Sequence, residues 1–210
     1  MYDICYSCDE PYQDEGVGPD QIYTCPRCGF RQRFQAPTMF IITGVSGTGK
    51  TTLWSEMLIR KDKPDLVYLD SDMLLPLNQF IKEEYWSYWM WIGFKIAQSG
   101  RPVALFGWSD PSNHENASQR KHFSAIHYLV LTCDPVVLER RLRERPEWRG
   151  SSKPEFIKMA LDANQRFIDT AAKTPLSYTL LDTTNKTREE CVTELMNWIN
   201  RHHRQGRTGR

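Results

Sequence analysis

The sequence predicts a three-layer α/β domain built on a parallel sheet, preceded by a small N-terminal β module that holds a metal. Three observations predict it. Four cysteines come early, as Cys5-x2-Cys8 and Cys25-x2-Cys28. From residue 38 onward, apolar runs of strand length alternate with helix-period segments, the pattern of βα units. The first of those runs, Met39-Phe40-Ile41-Ile42-Thr43, enters Gly44-Val45-Ser46-Gly47-Thr48-Gly49-Lys50-Thr51, which matches GxxxxGK followed by Ser or Thr.

A chain of 210 residues has room for one ordinary domain and a small attachment. Apolar residues make up 40% and charged ones 25%, so a buried core forms and wholesale disorder is excluded. The 27 Lys and Arg against 26 Asp and Glu leave a net charge of +1, which argues against a generic polyanion binder. Mean hydropathy is −0.57, and there is no run of about 18 apolar residues, so no membrane span is expected. The opening MYDICYSCDE has neither a basic leader nor an apolar signal core, so a cytoplasmic location is expected.

In a reducing compartment, two CxxC pairs 16 residues apart read as a four-thiolate site and not as disulfides. Each pair places two thiolates on one tight turn, and a β-hairpin in the spacer is expected to bring the turns together. Four thiolates around Cys5, Cys8, Cys25 and Cys28 fill tetrahedral Zn²⁺ and leave no place for water. Gly29 follows the second pair, where a positive φ turns backbone N–H groups towards sulfur; Asp9 stands at the same place after the first. Six acids (Asp3, Asp9, Glu10, Asp14, Glu15 and Asp20) outnumber Arg27, Arg31 and Arg33 in this segment. That balance disfavours nucleic acid as its partner.

The glycines of Gly44 to Thr51 let backbone N–H groups converge on phosphate oxygens, and the following helix N-terminus adds positive potential. Residues Gly44, Val45, Ser46, Gly47, Thr48, Gly49, Lys50, Thr51 and Thr52 are therefore the candidate nucleotide-binding set. Lys50 brings a charge to the outer phosphates, and the Thr51 hydroxyl is a Mg²⁺ ligand. The next strand, Leu66 to Asp70, ends in an acid beside this loop, so Asp70 is the second candidate for Mg²⁺. Asp72, two residues on, is placed to orient or deprotonate an acceptor hydroxyl, although Asp also serves as a helix N-cap.

Residues 77–97 are expected to form a long helix carrying six aromatics between Tyr85 and Phe94, more than one face can bury. Most belong to the core; Trp86 and Trp89 are the candidates for stacking on an acceptor. Strands are expected at 103–107, 126–133 and 177–182, with Trp108 to Gln119 a loop near the acceptor and His127 a core or edge histidine. Asp134-Pro135 opens a helix whose Arg141 and Arg145, four residues apart, are candidates for a mobile lid that neutralises phosphoryl charge. Helices are expected over 154–173 and 188–199, and the turn Thr183 to Lys186 is placed to meet an adenine edge. Residues 201–210 read as a basic, disordered tail.

With these motifs in place, residues 38–200 resemble the small P-loop kinases of metabolites and nucleosides, the group of shikimate, gluconate and nucleotide kinases. Leu69-Asp70-Ser71-Asp72 is similar to the DxD element of the shikimate-kinase branch. Gln98-Ser99-Gly100-Arg101-Pro102-Val103, Ile126-His127-Tyr128-Leu129 and Arg145-Pro146-Glu147-Trp148-Arg149 are similar to a bacterial group described as nucleoside kinases or AAA-family ATPases. Residues 1–37 resemble a zinc ribbon, which these kinases generally lack. The resemblance implies a three-layer P-loop kinase fold with a parallel sheet that binds ATP and Mg²⁺. It implies transfer of the γ-phosphoryl to a hydroxyl of a small acceptor, a nucleoside or similar metabolite being expected. Two alternatives stay open: a kinase of nucleic-acid 5′-hydroxyl ends guided by the ribbon, and a nucleotide-gated adaptor that signals through it.

Overall fold

Seven residues after position 37 form the middle of a sheet because nothing in them resists burial on both faces. The computed structural model describes residues 5–11, 22–33, 36–74, 84–97, 99–171 and 178–205. In it β3 (Thr38–Gly44) is buried from Met39 onward. It is flanked in parallel by β5 (Val103–Phe106) and β6 (Ala125–Thr132). Two further strands, β4 (Val67–Asp70) and β7 (Thr179–Asp182), complete a five-stranded parallel sheet in the order β4-β5-β3-β6-β7. The chain moves from β3 to one side of the sheet and later to the other, so a crevice opens at the carboxyl end of β3.

Period-2 alternation along β3 sorts its side chains between two layers. Phe40 and Ile42 pack with Leu53 and Met57 of α1 (Lys50–Ile59) and with Leu195 and Trp198 of α6 (Arg188–Gln205). Met39 and Ile41 face the other way, onto Trp89, Met90 and Phe94 of α2 (Tyr85–Ala97). A third cluster holds Val45 and Val130 against α4 (Pro135–Arg143) and α5 (Pro154–Thr170). Each such large apolar side chain, fully buried, contributes about 1.5–3 kcal/mol. Among the described residues no helix is long and apolar enough to cross a membrane.

Several boundaries differ from expectation. The start of the expected helix at 77–97 falls outside the described residues, and the helix is present from Tyr85. The expected loop from Trp108 to Gln119 contains a short helix, α3 (Pro111–Glu115). Its N-cap Asp110 accepts from Ser112 N, and Pro111 supplies a preset φ at the first turn. The closing helix passes its expected end at Ile199 and continues to Gln205, so 201–205 are not a disordered tail. A ring stack explains the extension: His202 lies 4.2 Å from His127 and 5.4 Å from Trp198, centroid to centroid.

In the N-terminal module the hairpin surrounds the second cysteine pair. Strands β1 (Ile22–Thr24) and β2 (Arg31–Arg33) are antiparallel, with Tyr23 opposite Gln32. The expected hairpin in the spacer falls largely outside the described residues. The two knuckles repeat one backbone design. Asp9 N donates to Cys5 O and Gly29 N to Cys25 O, both at 2.9 Å. Asp9 takes φ 58° where Gly29 takes φ 71°. Asp is one of the few non-glycine residues that enters this region readily, so the first knuckle closes without a glycine.

Gly44 ends the central strand at φ +138°, and a Cβ there would stand 2.4 Å from Leu131 O and 2.9 Å from Thr48 Oγ1. Gly44→Ala is therefore expected to destabilise the fold by roughly 2–4 kcal/mol, read as a lower urea midpoint at unchanged slope.

Candidate active site

One cleft of about 1180 Å³ opens at the carboxyl ends of the strands and gathers most of the residues singled out from the sequence. Its floor is the loop from Ser46 to Thr52. Helix α1 starts at Lys50 with Gly49 as N-cap, φ 100°, with no side-chain cap and no acid in the first turn. The N–H groups that a Ser or Asp cap would have engaged are left to face a ligand, and the helix dipole favours an anion there. Loop shape is set from outside. Gly47 backs onto Leu138 and Leu142, so that a Cβ would come within 2.9 Å of Leu138 Cδ1. Inside the loop, Thr48 Oγ1 and Lys50 Nζ both donate to Val45 O at 2.8 Å.

The charge of Lys50 is finely poised. Burial pushes its ammonium down to about 8, Asp72 and Asp70 oppose the shift, and the Arg145 guanidinium adds to it. Asp70 is 7% exposed at the end of β4, and the cleft lining starts one residue later, at Ser71. Burial holds the Asp70 carboxyl above its usual range, with Asp72 N–H, its hydrogen-bond donor at 3.0 Å, opposing. Asp70 is the side chain that caps the 3-10 turn Ser71–Leu74, which leaves the Asp72 carboxylate to line the cleft.

The wall above Asp72 is aromatic. Tyr85 and Trp86 line it, their rings 4.9 Å apart and edge to face, and the Tyr85 hydroxyl donates to Ser71 O. Gly107, at the end of β5, leaves the space that this wall needs. A Cβ there would fall 2.1 Å from Ser71 Oγ and 3.4 Å from Trp86 Cη2. Trp108 and Phe156, perpendicular at 6.0 Å, form the opposite side. Trp89 is not part of this wall. It is 3% exposed and packed on the sheet with Met90 and Phe94. It lies three positions from Trp86, but α2 turns its side chain inward against Met39 and Ile41.

Helix α4 sorts its arginines by direction. Arg140 and Arg143 face solvent, Arg143 paired with Glu139 at 2.7 Å and Arg140 with Glu144 at 4.0 Å. Arg141 and Arg145 both line the cleft, but they differ in freedom. Arg141 is a brace and not a mobile lid residue: Nη1 donates to Thr183 Oγ1 at 3.1 Å, and Nη2 to Thr183 O at 2.9 Å and Thr184 O at 3.3 Å. Thr183 Oγ1 also lies 3.1 Å from Thr48 O, so one hydroxyl joins the β7–α6 turn to the phosphate loop. Arg145 lies just beyond the helix C-cap, its guanidinium held below its ordinary range by burial and by neighbouring Arg149, with Asp72 opposing. Arg149, Tyr85 and Trp148 line the cleft without having been candidates from the sequence, and Trp108 lines it as the start of the segment expected near the acceptor. The run of charges at 139–149 held the signal for Arg149; only the fold separates it from Arg140 and Arg143.

The four cysteine sulfurs lie within 4.8 Å of one another, with Cys5 to Cys28 at 3.6 Å and Cys8 to Cys25 at 3.7 Å. Four thiolates about 2.3 Å from a tetrahedral ion stand about 3.8 Å apart, so the cluster fits a zinc ribbon. Of the basic residues in this module, Arg27 donates to Glu10 at 3.0 Å.

No protein-family model matches the sequence, and no curated protein matches it. Solved structures do. A sugar kinase from a Janibacter species matches over 79% of this chain and 95% of its own, at 16% identity and a TM-score of 0.56. A gluconokinase from Sinorhizobium meliloti matches over 80% and 94%, at 17% identity and 0.55. A tunicamycin resistance protein from Deinococcus radiodurans matches over 79% and 96%, at 14% identity and 0.57. At such identities the likeness is one of architecture. The chain has the α/β P-loop kinase fold, with an added N-terminal cysteine cluster that fits a zinc ribbon.

Proposed function

We propose that this protein is a Mg²⁺-dependent phosphotransferase that moves the γ-phosphoryl of ATP to a hydroxyl of a small acceptor, with a nucleoside as the expected acceptor. The observation that carries the reading is the make-up of one cleft. A bare helix N-terminus and Lys50 line it together with a carboxylate, Asp72, and the aromatic side chains of Tyr85 and Trp86. The likeness to proteins described as sugar kinase and gluconokinase supports a small-molecule acceptor. Flat walls at Trp86, Trp108 and Phe156 favour an acceptor that carries a planar ring.

The residues divide the work. Loop N–H groups and Lys50 hold the phosphates, and the Thr183 to Lys186 turn braced by Arg141 faces the base of the nucleotide. Thr51 offers a hard oxygen ligand that suits Mg²⁺, and Asp70, just behind the cleft lining, would act on the water shell of the ion, which would neutralise charge on the phosphates when bound. Asp72 orients the acceptor hydroxyl. Its oxygen bonds to the γ-phosphorus, the bond to the bridging oxygen breaks, the electron pair leaves on ADP, and the hydroxyl proton passes to Asp72. Arg145 and Arg149 meet the charge that spreads over the transferring group. The cysteine cluster holds a structural zinc, closed to water and apart from this chemistry.

The direct test is ADP formation from Mg·ATP with pooled nucleosides, sugars, sugar acids and 5′-hydroxyl oligonucleotides. The nucleoside pool is expected to stimulate turnover, and both Lys50→Ala and Asp72→Ala are expected to reduce it at least about a hundredfold in folded protein. Stimulation by none of the pools, with ATP still bound, would remove the transferase reading.

Lys50 also predicts a pH dependence. Phosphates bind its ammonium form, and with a free-protein value near 8 that form is lost as pH rises. The Kd for Mg·ATP is therefore expected to rise about tenfold from pH 7 to pH 9, with the slope abolished by Lys50→Arg. Elemental analysis is expected to find about one zinc per chain, lost in Cys25→Ser. ATP affinity should then stay within about twofold, because no described residue of the ribbon lines the cleft.

A further inference from the structure

Behind the aromatic wall lies a polar side chain with no role in the chemistry above. His114, on α3, is fully buried. Its ring meets Trp86 edge to face at 5.1 Å. Nε2 lies 2.9 Å from Ser109 Oγ, while Nδ1 has no hydrogen-bond partner among the described residues. A buried ring nitrogen without a partner is least costly as a bare lone pair, so Nε2 carries the proton and donates to Ser109. Burial keeps the ring neutral, pushing its pKa down to about 3 against the pull of Asp110.

Ser109 is fixed in turn. Its N–H donates to Thr43 Oγ1 at 3.0 Å, and Thr43 Oγ1 donates back to Ser109 O at 2.6 Å. Thr43 is the residue before Gly44, where the phosphate loop begins. The indole also lies close to the backbone at Gly107, where a Cβ would fall 3.4 Å from Trp86 Cη2. Helix α3 is anchored as well, with Tyr128 OH donating to Glu115 at 2.8 Å. A ring contact alone would be made by Phe, which is easier to bury. The bond to Ser109 is what sets the plane of the imidazole, and with it the angle of the indole.

We propose that His114 is a positioning residue for the acceptor. It fixes the tilt of Trp86 at the cleft wall and, through Ser109 and Thr43, ties that wall to the phosphate loop. The inference rests on the phosphotransferase reading of the cleft. His114 touches no ligand; it acts through Trp86. Loss of the bond lets the indole tilt, which weakens acceptor binding and leaves the phosphate cradle as it was.

Two substitutions in the full chain break the bond from opposite ends. His114→Phe keeps the ring contact, and Ser109→Ala keeps the imidazole and serves if the first variant folds poorly. Each is expected to raise the acceptor KM about tenfold, with the Mg·ATP Kd within about twofold and no further loss in the double variant. Both should alter the near-UV circular dichroism assigned to Trp86 by difference from Trp86→Phe. An unchanged acceptor KM in a folded variant, or acceptor KM and ATP Kd rising together, would overturn the proposal. If the wild-type protein shows no acceptor-dependent turnover, the phosphotransferase reading fails, and the Trp86 signal decides the rest. A changed signal in both variants then supports the positioning role, and an unchanged one overturns it.

Discussion

A loop that binds phosphates with its backbone has to leave its N–H groups bare, and that constraint shapes everything around it. Gly44, Gly47 and Gly49 all take positive φ. Gly44 and Gly47 have no space for a Cβ, so the side chains that brace the loop from within are those of Thr48 and Lys50, both bonded to Val45 O. Its shape is imposed by neighbours: Leu138 and Leu142 press on Gly47, Leu131 O crowds Gly44, and the Thr183 hydroxyl reaches Thr48 O. The central place of β3 follows, because only a strand held on both sides by β5 and β6 delivers the loop to a fixed point. The uncapped start of α1 is the other half of the same solution.

Charge is distributed to match. Lys50, Arg145 and Arg149 share the cleft with one lining carboxylate, Asp72, and burial disfavours the charged forms of Lys50 and Arg145. Burial and like charge together disfavour such a cluster in the folded chain. Arg141 and Arg143 show how the fold divides similar residues. Arg143 completes a surface pair with Glu139. Arg141 spends its donors on Thr183 and Thr184, and so couples the β7–α6 turn to the loop.

The parts of the site that depend on local backbone rules were legible in the sequence. Spacing alone located the phosphate loop, the strand ending in Asp70 and the four clustered cysteines, because tight turns and strand length are set within a few residues. Side-chain direction was not legible. Trp86 and Trp89 have the same chemistry three positions apart, and only packing against Met39 and Ile41 sends Trp89 inward. Arg141 became a brace through contacts with Thr183 and Thr184, some 40 residues away. One local signal was readable and unread: Asp110-Pro111 opens α3 by the same capping chemistry as Asp134-Pro135 opens α4. The role of Gly107 is the subtlest, since the space it leaves is filled by Ser71 and Trp86 from elsewhere in the chain.

The proposed transfer requires that the γ-phosphoryl leave ATP for an alcohol and not for water. Phosphorus-31 NMR of Mg·ATP turnover with a nucleoside pool separates the two directly. A phosphomonoester resonance that grows in step with ADP is the predicted result. Inorganic phosphate growing alone, with no ester formed, would contradict the assignment of Asp72 and the aromatic wall to an acceptor.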